Sequence, residues 1–222
     1  MTEAAPPRER FAPRGRIDKR RAILDAAFAV FARHGYEQAG VREVAAEAGV
    51  AKPTMYNHFA DKEDLFRHTV EATADAVQTD CLAVVDDLRA PGEDLTAAME
   101  DIAYRLLVLC CDERSTALRR LTHAQVVHFP DLVEAVHRRT SIRIAESLAD
   151  RLARLCLSGR LRPCEPAQAA EQFLALLTAP MEARSHLGSR KVTAAETHKI
   201  AAAAVDTFLR AYRPDPHDVD RK

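Results

Sequence analysis

The side chains best suited to chemistry in this sequence gather between residues 36 and 66, in YEQAGVREVAAEAGVAKPTMYNHFADKEDLF. Within that stretch Arg42, Lys52, Thr54, Tyr56, Asn57, His58 and Lys62 supply cations, hydroxyls, an amide and an imidazole around a glycine-containing turn. Groups of these types bond to phosphate oxygens and base edges. The rest of the chain offers less. There is no nucleophile elbow, phosphate loop, HExxH or paired-carboxylate layout, and His123, His128 and His137 share no catalytic register, so no catalytic residue is assigned. Cys81, Cys110, Cys111, Cys156 and Cys164 show no CxxC or Cys/His ligand spacing, so neither a metal nor another cofactor is expected. In a reducing cytosol these five read as thiols, mostly buried. The adjacent Cys110 and Cys111 are either a redox sensor or, as is commoner for neighbours on one helix, packing residues.

The elements that must position the polar set are helices. Apolar residues at 47% and charged residues at 29% are ordinary globular values, and Ala, Leu, Glu and Arg dominate over seven glycines and no tryptophan. No strand pattern or internal repeat is visible. Asp18 opens a first helix whose apolar face carries Leu24, Phe28 and Phe31, widened by Ile23, Ala27 and Val30, and Gly35 ends it. Short helices follow at 41–48 and about 52–59, meeting at a turn around Ala48–Ala51, which is the helix-turn-helix layout. Val44, Ala45, Ala48, Val50, Met55 and Phe59 supply a small core wedge between them. The second helix of such a unit enters the major groove and the first braces it. A longer helix starts at Asp61, with Asp64 as a capping-box-like partner, and runs to about Leu88.

At the level of exact residues, VAKPTMYNHF from Val50 to Phe59 followed by DKEDL from Asp61 to Leu65 closely resembles the TetR family of repressors. The spacing of Ala26, Ala27, Phe28, Phe31, Ala32, Gly35 and Tyr36 agrees, as does that of Val41 to Ala45 and Ala48 to Val50, so the resemblance covers roughly residues 18–66. It implies DNA contacts at Tyr56 and His58, the phenol reaching a phosphate and the imidazole either touching the backbone or holding the helix. It also implies a phosphate contact from Lys62 at the start of the next helix. Lys52, Thr54 and Asn57 are the candidates to read bases, and Arg42 is a phosphate or base contact. Two positions depart from the pattern. Gly40 and Ala51 stand where a capping hydroxyl is usual, which removes one or two backbone contacts.

Beyond the Pro91–Gly92 break, helices read at about 93–111, 113–128, 130–158, 165–187 and 193–212, the third broken near Arg138–Thr140. The fold class is therefore all-α, with about nine helices: a basic arm over 1–16, a three-helix DNA-binding domain over 17–64, a larger regulatory and dimerisation domain over 65–213, and a tail over 214–222. A dimer is expected because one small module makes few contacts. Its interface is assigned to Phe173, Leu176, Pro180, Met181, Ile200, Ala204, Phe208 and Ala211 on the last two helices, the pair that forms a four-helix bundle in the resembled family. A second role for those faces is to cover the core of their own chain. An effector pocket is expected among the central helices, lined by Tyr104, Leu107, Val108, Cys111, His123, Val126, Val127, Phe173 and Leu177. The region around Arg119, Arg120, HFPDL from His128 and GRLR from Gly159 is loosely similar to AefR-like members of the same family.

The net charge of −1 says nothing about nucleic acid, but residues 1–21 hold seven basic side chains against three acidic ones. No apolar run spans a bilayer and no signal-peptide centre opens the chain, so a cytoplasmic protein without a membrane partner is expected. Its partners would be double-stranded operator DNA, a second copy of itself and a largely apolar small molecule. The competing readings are a helical DNA-binding adaptor without ligand sensing and, less favoured, a small helical enzyme.

Overall fold

The computed structural model describes residues 13–186 and 188–214. Most of the expected basic arm and the tail beyond Pro214 lie outside the described residues. Within them the chain forms ten α-helical segments and no strand: α1 (Pro13–Gln38), α2 (Val41–Glu47), α3 (Lys52–Tyr56), α4 (Lys62–Asp86), α5 (Leu95–Cys111), α6 (Glu113–Ala124), α7 (Pro130–His137), α8 (Arg143–Leu157), α9 (Pro166–Ser185) and α10 (Ala194–Tyr212). A 3₁₀ turn at Asp87–Arg89 extends α4, and a π turn at Arg138–Ile142 joins α7 to α8 without a loop. Counting α7 and α8 as one interrupted rod gives the nine expected. The chain divides into two compact units, Met1–Ala72 and Thr73–Lys222, with the boundary inside α4.

In the first unit α1 begins at Pro13, ahead of the expected Asp18, because proline's missing N–H costs nothing in a first turn. At Gly35 the backbone turns to φ 73° and ψ 174°, a conformation that breaks the helix and that side chains with a Cβ resist. The core behind this bend is small and aromatic. Phe66 meets Phe31 edge-on at 4.9 Å between ring centroids and lies 4.8 Å from Tyr36. Val44, Ala45, Met55 and Phe59 are buried as the wedge between α2 and α3, while Ala48 and Val50 are half-buried.

In the second unit α5 lies along α10, α8 along α9, and α9 along α10. Phe173 and Phe208, both fully buried, meet edge-on at 5.1 Å at the α9–α10 seam. Helix starts are marked by side-chain caps: Asp94 accepts from the Ala97 amide, Asp112 from the Ser115 amide, and Thr193 with Glu196 forms a reciprocal capping box. The helix expected over 113–128 ends earlier, at Ala124. Val126 and Val127 are 53% and 82% exposed, so no buried face continues there to hold β-branched residues in a helix.

Candidate nucleic-acid interface and internal cavity

The turn between α2 and α3 is closed by the backbone. Gly49 takes φ 66°, its amide donates to the Ala46 carbonyl, and the Val50 amide donates to Ala45 at 2.9 Å. Gly40 and Ala51 are the N-caps of α2 and α3, and neither helix has a side-chain cap bond, as residues without a hydroxyl must leave it. α3 ends at Tyr56 rather than near 59. The chain still winds tightly enough for the Phe59 amide to reach the Met55 carbonyl at 3.0 Å, which turns Phe59 inward. The consequence is a two-sided segment. Met55 and Phe59 are buried, Thr54 and His58 are half-buried, and Lys52, Pro53, Tyr56 and Asn57 face outward. Tyr56 is 44% exposed, and the Lys52 ammonium sits 5.6 Å from the centre of its ring. Arg42, on the first turn of α2, is exposed as well.

Lys62 has a structural task that sequence reading missed. Its Nζ donates to the Glu37 carbonyl at 2.9 Å and lies 4.9 Å from the centre of the Tyr36 ring. Glu37 is in the last turn of α1, where carbonyls lack intrahelical donors, so the ammonium satisfies one of them. One N–H is used there and two remain. The sequence signal was a lysine placed after a helix ending in Gly35–Tyr36, but the contact runs across a separation no local pattern reveals. Arg20, one of the seven basic residues among 1–21, lies within α1 with its guanidinium 5.2 Å from the Phe59 ring centre.

The acids of α2 are neutralised locally. Arg33 donates to both Glu43, at 3.2 Å, and Glu47, and His34 lies 3.0 Å from Glu43. These bonds lower the carboxyl pKa of Glu43 and Glu47 and raise that of Arg33. Paired in this way, the two carboxylates repel an approaching phosphate less than their charge alone would.

The second unit contains a cavity of about 510 Å³. Cys81 of α4, Leu106, Leu107 and Cys110 of α5, Ile144, Ala145 and Ala149 of α8, and Ala167, Leu174, Ala175 and Leu177 of α9 make its apolar wall. Thr140, Ser141 and Ile142 of the π turn, Thr178, Glu146 and Glu171 complete it. Burial pushes the Cys81 thiol up to about 12 and raises that of Cys110, so both sulfurs are protonated there. Of the nine residues expected to line a pocket, Leu107 and Leu177 do so. Tyr104 is stacked on His198 at 3.8 Å, and Phe173 is packed against Phe208. Cys111 is half-buried beside the cavity residue Cys110 without lining it, and Val108, His123, Val126 and Val127 are exposed. Cys81, Leu106, Cys110, the α8 wall, most of the α9 wall and the π turn were all missed by sequence. A helix break was visible there, but not that it turns two hydroxyls into a cavity.

Of the eight residues assigned to a dimer face, Phe173, Met181, Ile200, Ala204 and Phe208 are buried in the core of their own chain at 4% exposure or less. Leu176 and Pro180 are half-buried and Ala211 is exposed. The larger apolar side chains of α9 and α10 are consumed by the seam with α5 and α8, which periodicity could not distinguish from a face left for a partner.

Comparison with known proteins bears on both units. Residues 23–69 match the family of bacterial regulatory proteins, tetR family, and residues 97–214 match the AefR-like transcriptional repressor C-terminal domain, a span of more than half the chain. The chain belongs to the TetR family. As a TetR-family member it is a DNA-binding transcription regulator rather than an enzyme. A protein of Mesorhizobium loti MAFF303099 described as a TetR-family transcriptional regulator is 32% identical, with a TM-score of 0.83 covering 90% of this chain and 98% of that one. The flavonoid-responsive regulator FrrA is 26% identical, with a TM-score of 0.67 over 88% of this chain and 97% of its own. The transcriptional activator FasR of Mycolicibacterium smegmatis is 40% identical over 60 residues, 27% of each chain. The aligned part thus spans about a quarter of that relative's length, and 60% of the length of another curated regulator. No described helix is long and apolar enough to cross a membrane.

Proposed function

We propose that this regulator binds a palindromic operator as a homodimer in the cytoplasm, represses from it, and is released when a small, largely apolar compound fills the cavity of the second unit. The observation that carries the reading is the cavity. Its 510 Å³ lies within the ~300–1,000 Å³ usual for small-molecule sites, and its wall is apolar with a few polar groups. Four of them, Thr140, Thr178, Glu146 and Glu171, present acceptors. The Thr140 and Thr178 hydroxyls already donate to the Val136 and Leu174 carbonyls, at 3.0 and 2.9 Å, leaving lone pairs. With the Glu146 and Glu171 carboxylates, they favour a compound that carries hydroxyl or amine donors on an apolar frame.

On the DNA side, Lys52, Asn57 and the half-buried Thr54 face the bases, while Arg42, Tyr56, His58 and Lys62 set the register on phosphates. The partner copy packs on the accessible side of α9 and α10, where Leu176, Pro180 and Ala211 are joined by exposed Ala179, Ala183, Ala202 and Ala203. Small side chains there allow close helix approach. Release requires a compound that prefers one arrangement of the dimer over the other, since equal affinity shifts nothing. α4 is the candidate lever, because it carries both Cys81 of the cavity wall and Lys62.

The test is duplex selection from a random pool, then fluorescence anisotropy of the selected duplex at physiological salt with and without a library of apolar hydroxylated compounds. A palindromic consensus and a compound that releases it are expected. An Ala145→Phe variant, which fills the cavity, should keep DNA binding and lose release. Absence of any specific duplex, or release unaffected by Ala145→Phe, would overturn the reading.

A further inference from the structure

Cys156 in the last turn of α8 and Cys164 just ahead of α9 bring their sulfurs to 3.5 Å, in contact. Both side chains are half-buried, so a small oxidant can reach them. We propose that Cys156 and Cys164 are an oxidisable dithiol that closes to an intramolecular disulfide, a modification site linking α8 to α9. Closure brings the sulfurs to ~2.05 Å, a movement of about 1.5 Å within reach of small torsional shifts in a connection of eight residues. The reaction balances with a peroxide as oxidant. One thiol gives up its proton and attacks a peroxide oxygen, becoming a sulfenic acid as the other oxygen leaves as hydroxide and takes that proton to form water. The second sulfur then displaces the sulfenic oxygen as a second water, so two thiols are oxidised while the peroxide is reduced. The product is the same whichever sulfur attacks first.

The surroundings tie this connection to the rest of the second unit. The Cys156 thiol donates to the Arg162 carbonyl at 3.3 Å, a bond that closure removes. Arg162 in turn holds the end of α10: its amide donates to the Tyr212 carbonyl at 2.8 Å, its Nε to Ala211 at 2.6 Å, and its guanidinium lies 5.4 Å from the Tyr212 ring centre. Burial and the hydrogen bond with Cys156 push the Cys164 thiol up to about 11, so Cys164 rests as a thiol at neutral pH. The adjacent pair Cys110 and Cys111 is differently placed. Successive residues on a helix do not face each other, and no contact joins their two sulfurs as one joins Cys156 to Cys164.

The experiment uses the reduced full-length chain, treated with hydrogen peroxide, denatured in acid, alkylated and digested with trypsin. Cleavage after Arg160 separates the two cysteines, so the disulfide joins the peptides covering 155–160 and 161–184 with the loss of two hydrogens. That species should be at least tenfold more abundant than any disulfide containing Cys81, Cys110 or Cys111, and the oxidised chain should remain a monomer on a non-reducing gel. Cys156→Ser and Cys164→Ser should each abolish it while keeping the far-ultraviolet dichroism of the parent. Full alkylation of Cys156 and Cys164 under conditions that oxidise free dithiothreitol would overturn the proposal. So would their linkage to other cysteines or between chains.

Discussion

Replacing Lys62 by Met separates two jobs that one ammonium group performs. In the free protein its Nζ caps the Glu37 carbonyl at 2.9 Å and sits 4.9 Å from the Tyr36 ring centre. A net hydrogen bond contributes ~0.5–1.5 kcal/mol and an exposed cation–π contact ~0.5–1 kcal/mol. Because Lys62 is half-exposed, the lower ends apply, and Lys62→Met should destabilise the chain by about 1 kcal/mol in urea unfolding. The two N–H groups left over are the ones available to phosphate. Each phosphate neutralised contributes ~0.9 to the slope of log affinity against log salt, so losing one contact per protomer lowers the slope of a dimer by about 1.8. Between roughly 50 and 200 mM salt the variant should therefore lose about twelve-fold less affinity than the parent. Anisotropy titrations of one duplex across that range read the slope directly. If affinity falls while the slope stays unchanged, Lys62 acts only by capping α1, and its assignment as a phosphate contact is refuted.

Tyr56→Phe, at a position 44% exposed, should leave stability within about 0.5 kcal/mol and weaken DNA binding roughly tenfold or more, a lost phenol bond counting twice in a dimer. A drop in melting temperature instead would show a packing role. Phe173→Ala should cost ~3–5 kcal/mol in chemical denaturation, because Phe173 is fully buried against Phe208. A cost below about 1 kcal/mol would mean that the α9–α10 seam needs a second chain to form. Glu196 is held at about 2 by the Thr193 amide, Arg190 and the Thr193 hydroxyl. A carboxyl lowered in the folded state stabilises fully above its ordinary value near 4.5 and loses that contribution as pH falls towards 2. Wild type should thus lose stability relative to Glu196→Gln across that window in pH-dependent thermal melts, and parallel curves would contradict the capping assignment.

Much of this was legible in the residues because local chemistry dictated it. Gly35, Gly49 and Gly92 take positive φ, so glycine at each was a readable stop. Pro130 opens α7 and Pro166 opens α9, positions where a missing donor is free. The break foreseen near Arg138–Thr140 is the π turn. What local chemistry did not dictate was which neighbour a face meets. Val126 and Val127 continue a helical pattern in the sequence yet lie beyond the end of α6. Tyr104 looked like a pocket wall and is stacked on His198 from α10, a residue far away in sequence.

The sequence by itself determined the helical class and the helix-turn-helix, since each follows from periodicity and turn residues acting within a few positions, and the set around Tyr56 followed from the resemblance to the TetR family. Tertiary structure alone decided which apolar faces are spent within the chain, where a cavity is left between α5, α8 and α9, and that Lys62 caps α1. Those outcomes depend on pairings between segments distant in sequence, and burial is a property of the pair. Cys156 and Cys164 illustrate the division: nothing in their spacing distinguishes them from the other three cysteines, and only the folding back of the α8–α9 connection brings their sulfurs to 3.5 Å.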